Sequence, residues 1–230
     1  MSQGATARRP YERERTEFLN LHEIVEAALQ VTKEVGFQGL SMRPLGERLH
    51  VSHMALYHHV AGKRALQELV ADAVLGRVEL PGPETLDWVE RLVVHARSFW
   101  NELAQFPGLA DFVVNEHHVS DSARHLYEYT IKVLLDAGFP PRDAALGREA
   151  LFALSPYYLT HPSAAARSQR GGHGRPSLSR WDPDVVAALR AAAVVDDLER
   201  WTFAKRTLLE GLRAQLQARR ARTPRARGKA

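Results

Sequence analysis

The sequence predicts an all-α protein: an N-terminal three-helix helix-turn-helix followed by a larger helical domain. Along most of the 230 residues, apolar side chains recur at the three-and-four spacing of a helix. Asn, Ser and Pro at helix-opening positions and Gly at helix-closing ones punctuate that pattern. No run of alternating β-branched residues interrupts it.

The elements follow in order. Residues 1–17 read as a charge-mixed, disordered arm. Asn20 and Glu23 have the spacing of a capping box, in which each side chain satisfies a free N–H of the first turn. Ile24, Ala27, Ala28, Val31 and Val35 then repeat at helical period, and Gly36 is placed as a left-handed C-cap. A second, short helix opens at Ser41, with Pro44 in its first turn and Met42, Leu45 and Leu49 on its inner face. His50-Val51-Ser52 breaks the chain, and Ser52 caps a third helix expected to run to about Val60. Ala61-Gly62 stops it. Three short helices with a turn between the last two describe a helix-turn-helix over 18–66.

A fourth helix is expected from Lys63 to about Val78, ended by Pro81-Gly82-Pro83. Residues 84–105 form a long amphipathic helix with Trp88, Leu92, His95, Phe99 and Leu103 on one side. Helical stretches follow at about 109–118, 121–137 and 142–160. Residues 161–183 are rich in Gly, Pro, Ser and Arg and read as a loop. Two further helices are expected at about 184–194 and 196–219.

Composition narrows the chemistry. The chain is 45% hydrophobic and 25% charged, as ordinary globular proteins are, and is long enough to bury a core without staples. It has no Cys, which excludes disulfides, thiolate zinc sites and cysteine nucleophiles and fits a reducing cytoplasm. The charged N-terminus lacks a signal peptide's apolar core, and no apolar run approaches the ~20 residues of a membrane span, so no membrane partner is expected. Of the +4 net charge, the segment 219–230 carries +6, which leaves the rest at −2. That segment reads as a basic, disordered tail. Within the body, residues 41–64 hold Arg43, Arg48, Lys63 and Arg64 against Glu47 alone. A small basic patch on a near-neutral body is what a nucleic-acid-reading module shows.

The helix-turn-helix carries the functional signal. With Val51, Leu56 and Val60 kept for the core, His53, Met54, Tyr57 and His58 turn outward. A helix fits the major groove of double-stranded DNA and meets base edges with its first residues. Ser41 and Lys63 sit at helix N-termini, where backbone N–H groups favour a phosphate.

The residues Leu40-Ser41-x-Arg43-x-Leu45-x-x-x-Leu49-x-Val51, then Leu56-Tyr57-x-His59-Val60 and Lys63-Arg64-Ala65-Leu66, closely resemble the TetR family of transcriptional regulators. The likeness continues weakly to the final helix, Phe203 to Leu216, which in that family builds the dimer. The resemblance implies that 67–218 is a ligand-binding and dimerisation domain. It implies that Arg43 reaches a guanine edge, that His53, Met54 and Ala55 occupy base-reading positions, and that Tyr57, His58, His59 and Lys63 hold the phosphate backbone. His50 departs from the Gly usual there, so the turn calls for a non-Gly residue in a left-handed conformation. An effector pocket would be lined by His95, Phe99, Phe112, Asn115, Tyr127, Thr130 and Phe152. The tetracycline-binding members hold a drug-chelated magnesium with a His. Phe112 stands at the matching position, which argues against that ligand.

The resemblance thus implies a homodimeric, cytoplasmic repressor on a palindromic operator, released by a small, largely apolar effector. A constitutive DNA-binding regulator, or an activator without a ligand, is the alternative. No cofactor is expected. Helical spacing does not bring three of His50, His53, His58 and His59 to one face, and Glu116-His117-His118 with Asp121 reads as a solvated helix end, so no metal site is assigned. Nor does a nucleophile elbow, phosphate loop or paired metal motif appear, so no enzyme is expected; Gly171-Gly172-His173-Gly174 lacks the helix-opening Lys-Ser/Thr of a phosphate loop.

Overall fold

A computed structural model describes residues 19–84, 86–115, 120–160 and 182–222. Among them the secondary structure is helical, with no strand. The helices are α1 (Leu21–Val35), α2 (Met42–Leu49), α3 (His53–Leu56), α4 (Lys63–Leu75), α5 (Trp88–Ala104), α6 (Leu109–Asn115), α7 (Asp121–Asp136), α8 (Pro141–Thr160), α9 (Pro183–Ala193) and α10 (Asp197–Arg222). None of them is long and apolar enough to cross a membrane. The arm at 1–17, most of the loop at 161–183 and the end of the tail lie outside the described residues.

The described residues pack as two compact units, one holding those up to Val78 together with those of Asn101–His125, the other those of Glu79–Trp100 and those from Leu126 onward. Residues 101–115 and 120–125 therefore pack with the helix-turn-helix, although in sequence they lie beyond Pro81-Gly82-Pro83. Aromatic burial explains it. Phe37, wholly buried between α1 and α2, meets the Phe112 ring with centroids 4.9 Å apart, and its N–H donates to the Pro107 carbonyl at 2.9 Å. Burying a side chain of that size contributes roughly 1.5–3 kcal/mol. The Asp72 carboxylate likewise accepts from the Ser122 N–H at 2.9 Å.

Within this first unit the caps form as the sequence predicts. Asn20 accepts from the Glu23 N–H at 2.9 Å, and Glu23 accepts from the Asn20 N–H at 3.2 Å. Gly36 closes α1 at positive φ but with an extended ψ of 162°, a departure from the expected left-handed cap. Val35, counted in the helical period, is exposed, because α1 presents its 24–28–31 stripe with Leu29 beside it. The inner face of α2 is as read, with Met42, Leu45 and Leu49 buried, and α4 buries Leu66, Val70 and Val74.

The second unit has its own core of Val89, Leu92, Val93, Val133, Leu134, Phe139, Leu151, Leu209 and Leu216. Gly147 permits close packing there: a Cβ would stand 3.3 Å from a Leu134 methyl and 3.4 Å from a Leu212 methyl. Helix α5 starts at Trp88, later than residue 84, since the Asp87 carboxylate accepts from the Val89 and Glu90 N–H groups at 2.8 and 3.1 Å. Asp87 also receives Arg213 of α10 at 2.9 Å, and Glu90 receives Arg206 at 3.1 Å. Helix α10 continues to Arg222, past the residue where the basic tail was expected to begin. Arg219 bonds to Asp143, and Arg220 donates to the Ala137 carbonyl at 2.7 Å, so these two cations belong to the folded body.

Candidate nucleic-acid interface and effector region

The helix-turn-helix is held by a tight crossing of α2 and α3. A Cβ on Gly46 would lie 2.9 Å from the Val51 carbonyl oxygen, and the Val51 N–H donates to the Gly46 carbonyl at 3.0 Å. Only a residue without a side chain lets the two segments approach this closely. His50 closes α2 at φ 56°, ψ 36°, and is the one non-Gly residue at positive φ among those described. Its left-handed conformation is the one the sequence required. Gly46 escaped the sequence reading, though a lone Gly inside a helical pattern is a standing signal of close approach.

The third helix is shorter than expected. The α-helical bonds span His53–Leu56, and the chain continues through a tightened turn in which the His58 N–H donates to the Ala55 carbonyl (3.2 Å) and that of His59 to the Leu56 carbonyl (3.0 Å). Such i→i+3 bonds close helices that lack the length to propagate. Ser52 opens it, its hydroxyl accepting from the Ala55 N–H at 3.2 Å. The outward row survives this change: His53, Met54, Tyr57, His58 and His59 are exposed, and Leu56 and Val60 are buried. Ala55 is the exception. It is 4% exposed, so it packs under the helix and presents no edge of its own.

The four cations of the patch are not equivalent. Arg48 pairs with Glu34 of α1, Lys63 donates to the Gln38 carbonyl at 2.7 Å, and the Arg64 guanidinium sits 4.6 Å over the Phe112 ring while bonding Glu68 at 2.9 Å. These tie the unit together. Arg43 is tethered to Glu47 at 3.2 Å, but its side chain is 87% exposed. An exposed i,i+4 pair is worth about 0.3–0.5 kcal/mol, so Arg43 exchanges partners at little cost. Arg43, Gly46, Glu47, His50, Ser52 and His53 line one surface groove. The Ser41 hydroxyl forms no capping bond with α2.

The residues expected around an effector divide between the units. Phe112 packs in the first, and Asn115 ends α6 there. His95, Phe99, Tyr127, Thr130 and Phe152 belong to the second. His95 is buried, with Nδ1 2.9 Å from the Glu79 carbonyl and its ring 4.8 Å from that of Tyr129. A carbonyl only accepts, so Nδ1 carries the proton and Nε2 is left as an acceptor. Burial holds this imidazole neutral, pushing it down to about 4, with Lys205 adding to the effect. Tyr127 is exposed, and the Arg148 guanidinium stacks 4.0 Å from its ring and 4.7 Å from that of Phe152. The Thr130 hydroxyl bonds back to the Leu126 carbonyl at 3.1 Å. Two buried polar residues of α10, Trp201 and Lys205, were missed. Their signal was legible, since the apolar stripe through Trp201, Leu209 and Leu216 passes through position 205.

Comparison with known proteins bears on both units. Residues 24–70 match the family of bacterial regulatory proteins of the tetR type, and residues 80–216 match the tetracyclin repressor-like C-terminal domain. An HTH-type transcriptional regulator of Saccharopolyspora erythraea is 30% identical over 141 residues, which span 61% of this chain and 60% of that relative. The class A tetracycline repressor protein of Escherichia coli is 30% identical over 154 residues, 65% of this chain and 70% of the repressor. Among solved structures, apo ActR from Streptomyces coelicolor is 25% identical with a TM-score of 0.68, over 87% of this chain and 97% of that one. ActR is also known in complex with actinorhodin, and a TetR variant from Acinetobacter baumannii in complex with minocycline. A match that takes in the turn held by Gly46 and His50, and a second that covers residues 80–216, lead to one conclusion: the chain belongs to the tetR family of bacterial regulatory proteins.

Proposed function

We propose that the protein is a ligand-responsive transcriptional repressor, which binds a palindromic operator as a homodimer in the cytoplasm and is released by a small, largely apolar effector. The observation that carries this reading is the exposed row His53, Met54 and Tyr57 along α3 and the turn that closes it, braced by Leu56 and Val60, with the loosely tethered Arg43 beside it. A helix so presented enters a major groove with its first turn against base edges. His58, His59, Lys63 and Ser41 border the row and suit phosphate oxygens. Two heads about one DNA turn apart then read two half-sites. The ligand complexes of ActR and of the Acinetobacter baumannii TetR support release by an effector. An effector that prefers a different head spacing weakens DNA binding by its differential affinity, typically ~1–3 kcal/mol.

A mobility-shift assay on a duplex from the region upstream of the gene tests this. The protein is expected to retard that duplex over random competitor at moderate salt, and Arg43→Ala to lose ~1–3 kcal/mol, mostly at one base position. Equal losses on all duplexes would remove Arg43 from base reading. A retarded band that no bound compound alters would leave a constitutive binder.

A further inference from the structure

The groove beside the exposed row holds an acid that phosphate binding does not explain. Between residues 41 and 64, Glu47 is the only carboxylate. It lines the groove with Arg43 of its own helix and with His50, Ser52 and His53, where α3 begins. Backbone contacts fix its place there. The His50 N–H donates to the Glu47 carbonyl at 3.4 Å, and the neighbouring Gly46 is held against Val51. The Glu47 backbone is therefore rigid with the start of α3.

As a helix-stabilising pair, Arg43 and Glu47 are poorly placed. Arg43 lies in the first turn of α2 and Glu47 in the last, so each charge faces the end of the helix dipole that disfavours it. An acid four residues after its cation is also the weaker order for such a pair. Against the DNA backbone a carboxylate is repelled. At a base edge it has a proper partner, the amino group of cytosine.

The free atoms of the pair match one base pair. Arg43 spends its Nε–H on Glu47 Oε1 at 3.2 Å, and neither side chain has another hydrogen-bonding or ionic partner among the described residues. The two terminal nitrogens of the guanidinium are left as a fork of donors, and Glu47 Oε2 as a bare acceptor. The major-groove edge of a G·C pair shows two acceptors, guanine N7 and O6, and then the cytosine amino donor. Two donors followed by an acceptor complement that order. At a C·G pair the order is reversed, and at an A·T pair the carboxylate meets thymine O4, an acceptor that repels it.

We propose that Glu47 is a second base-reading residue, which takes the cytosine of the pair whose guanine Arg43 takes. This rests on the DNA-binding reading above and deepens it: the operator carries a G·C pair at that position, and Glu47 excludes A·T from it.

The test uses the full-length protein and duplexes that it selects from a randomised pool. The position relaxed by Arg43→Ala is located first, and all four base pairs are compared there in an otherwise constant duplex. Wild type is expected to prefer G·C over A·T by about tenfold or more. Glu47→Ala should bring that preference within about threefold and bind the A·T duplex more tightly than wild type does, since the repelling charge is gone. Glu47→Gln, whose amide can donate to thymine O4, should admit A·T in the same way while keeping the side chain's shape. In an Arg43→Ala background, removing Glu47 should still change the remaining preference for cytosine, an effect that a residue merely steadying Arg43 would not have. Wild-type preference in both Glu47 variants, or an equal loss on all four duplexes, would overturn the proposal and leave the regulator reading in place. So would a wild-type selection that fixes any pair but G·C where Arg43 acts, a result that does not depend on whether a Glu47 variant folds. A protein that selects no duplex at all would remove the regulator reading and this one with it.

Discussion

At the scale of single residues, two histidines illustrate opposite uses of one side chain. His50 is held at φ 56°, where an L-residue is disfavoured by roughly 1–2 kcal/mol relative to the right-handed region and Gly is not. His50→Gly is therefore expected to stabilise the protein by about 1 kcal/mol in urea unfolding. An unchanged midpoint would show that the His side chain compensates for its backbone. His95 is strained electrostatically instead. Its folded-state value of about 4 lies below the 6.5 of an unfolded His, so between those values the unfolded chain binds more protons. Stability from this residue is full above pH 6.5 and drains away as pH falls toward 4, by about 3 kcal/mol. Urea unfolding at pH 7 and pH 4 checks this. Wild type should lose that much more than His95→Asn, which keeps a donor for the Glu79 carbonyl but does not titrate.

Among the elements, the crossing of α2 and α3 sets the geometry of the reading head, and Gly46 permits it. Ala in place of Gly gains up to ~1 kcal/mol in an unobstructed helix. Here the added Cβ meets a backbone oxygen at 2.9 Å, which cannot rotate away. Gly46→Ala is expected to destabilise by ~1–3 kcal/mol, the scale of overpacking, with a matching fall in melting temperature. A variant as stable as wild type would mean the crossing relaxes freely. Sequence reasoning found the helices and caps here because Asn20, Ser52 and Gly62 act locally. It missed the true end of α3, since four α-helical residues and a tightened turn share one apolar pattern through Leu56 and Val60. It also placed Ala55 among the readers, where one step of helical rotation turns it inward. The left-handed His50 was legible from its place in the motif; the tether from Arg43 to Glu47 was not, because i,i+4 spacing permits a pair without requiring it.

At the scale of the whole molecule, association of two copies is the matter to test. Phe203 on α10 is 73% exposed and Leu146 on α8 is also exposed, as are Val185 and Leu189 on α9. An exposed Phe203 on the final helix, the one expected to build a dimer, suits a surface that a second subunit covers. Phe203→Asp is expected to shift the protein from dimer to monomer in light scattering at micromolar concentration, and to weaken operator binding with it. A variant that stays dimeric would move the interface off this face. The two-part plan was readable in the sequence, but the attachment of residues 101–115 and 120–125 to the helix-turn-helix was not. It depends on Phe37 meeting Phe112 across 75 positions of chain, a contact that no local period reveals. The bond between Arg43 and Glu47 also bears on how a regulator searches a genome. In the proposed repressor a tether worth about 0.3–0.5 kcal/mol lowers the grip of Arg43 on arbitrary duplex only about twofold, a cost that a bidentate guanine edge worth ~1–3 kcal/mol readily offsets.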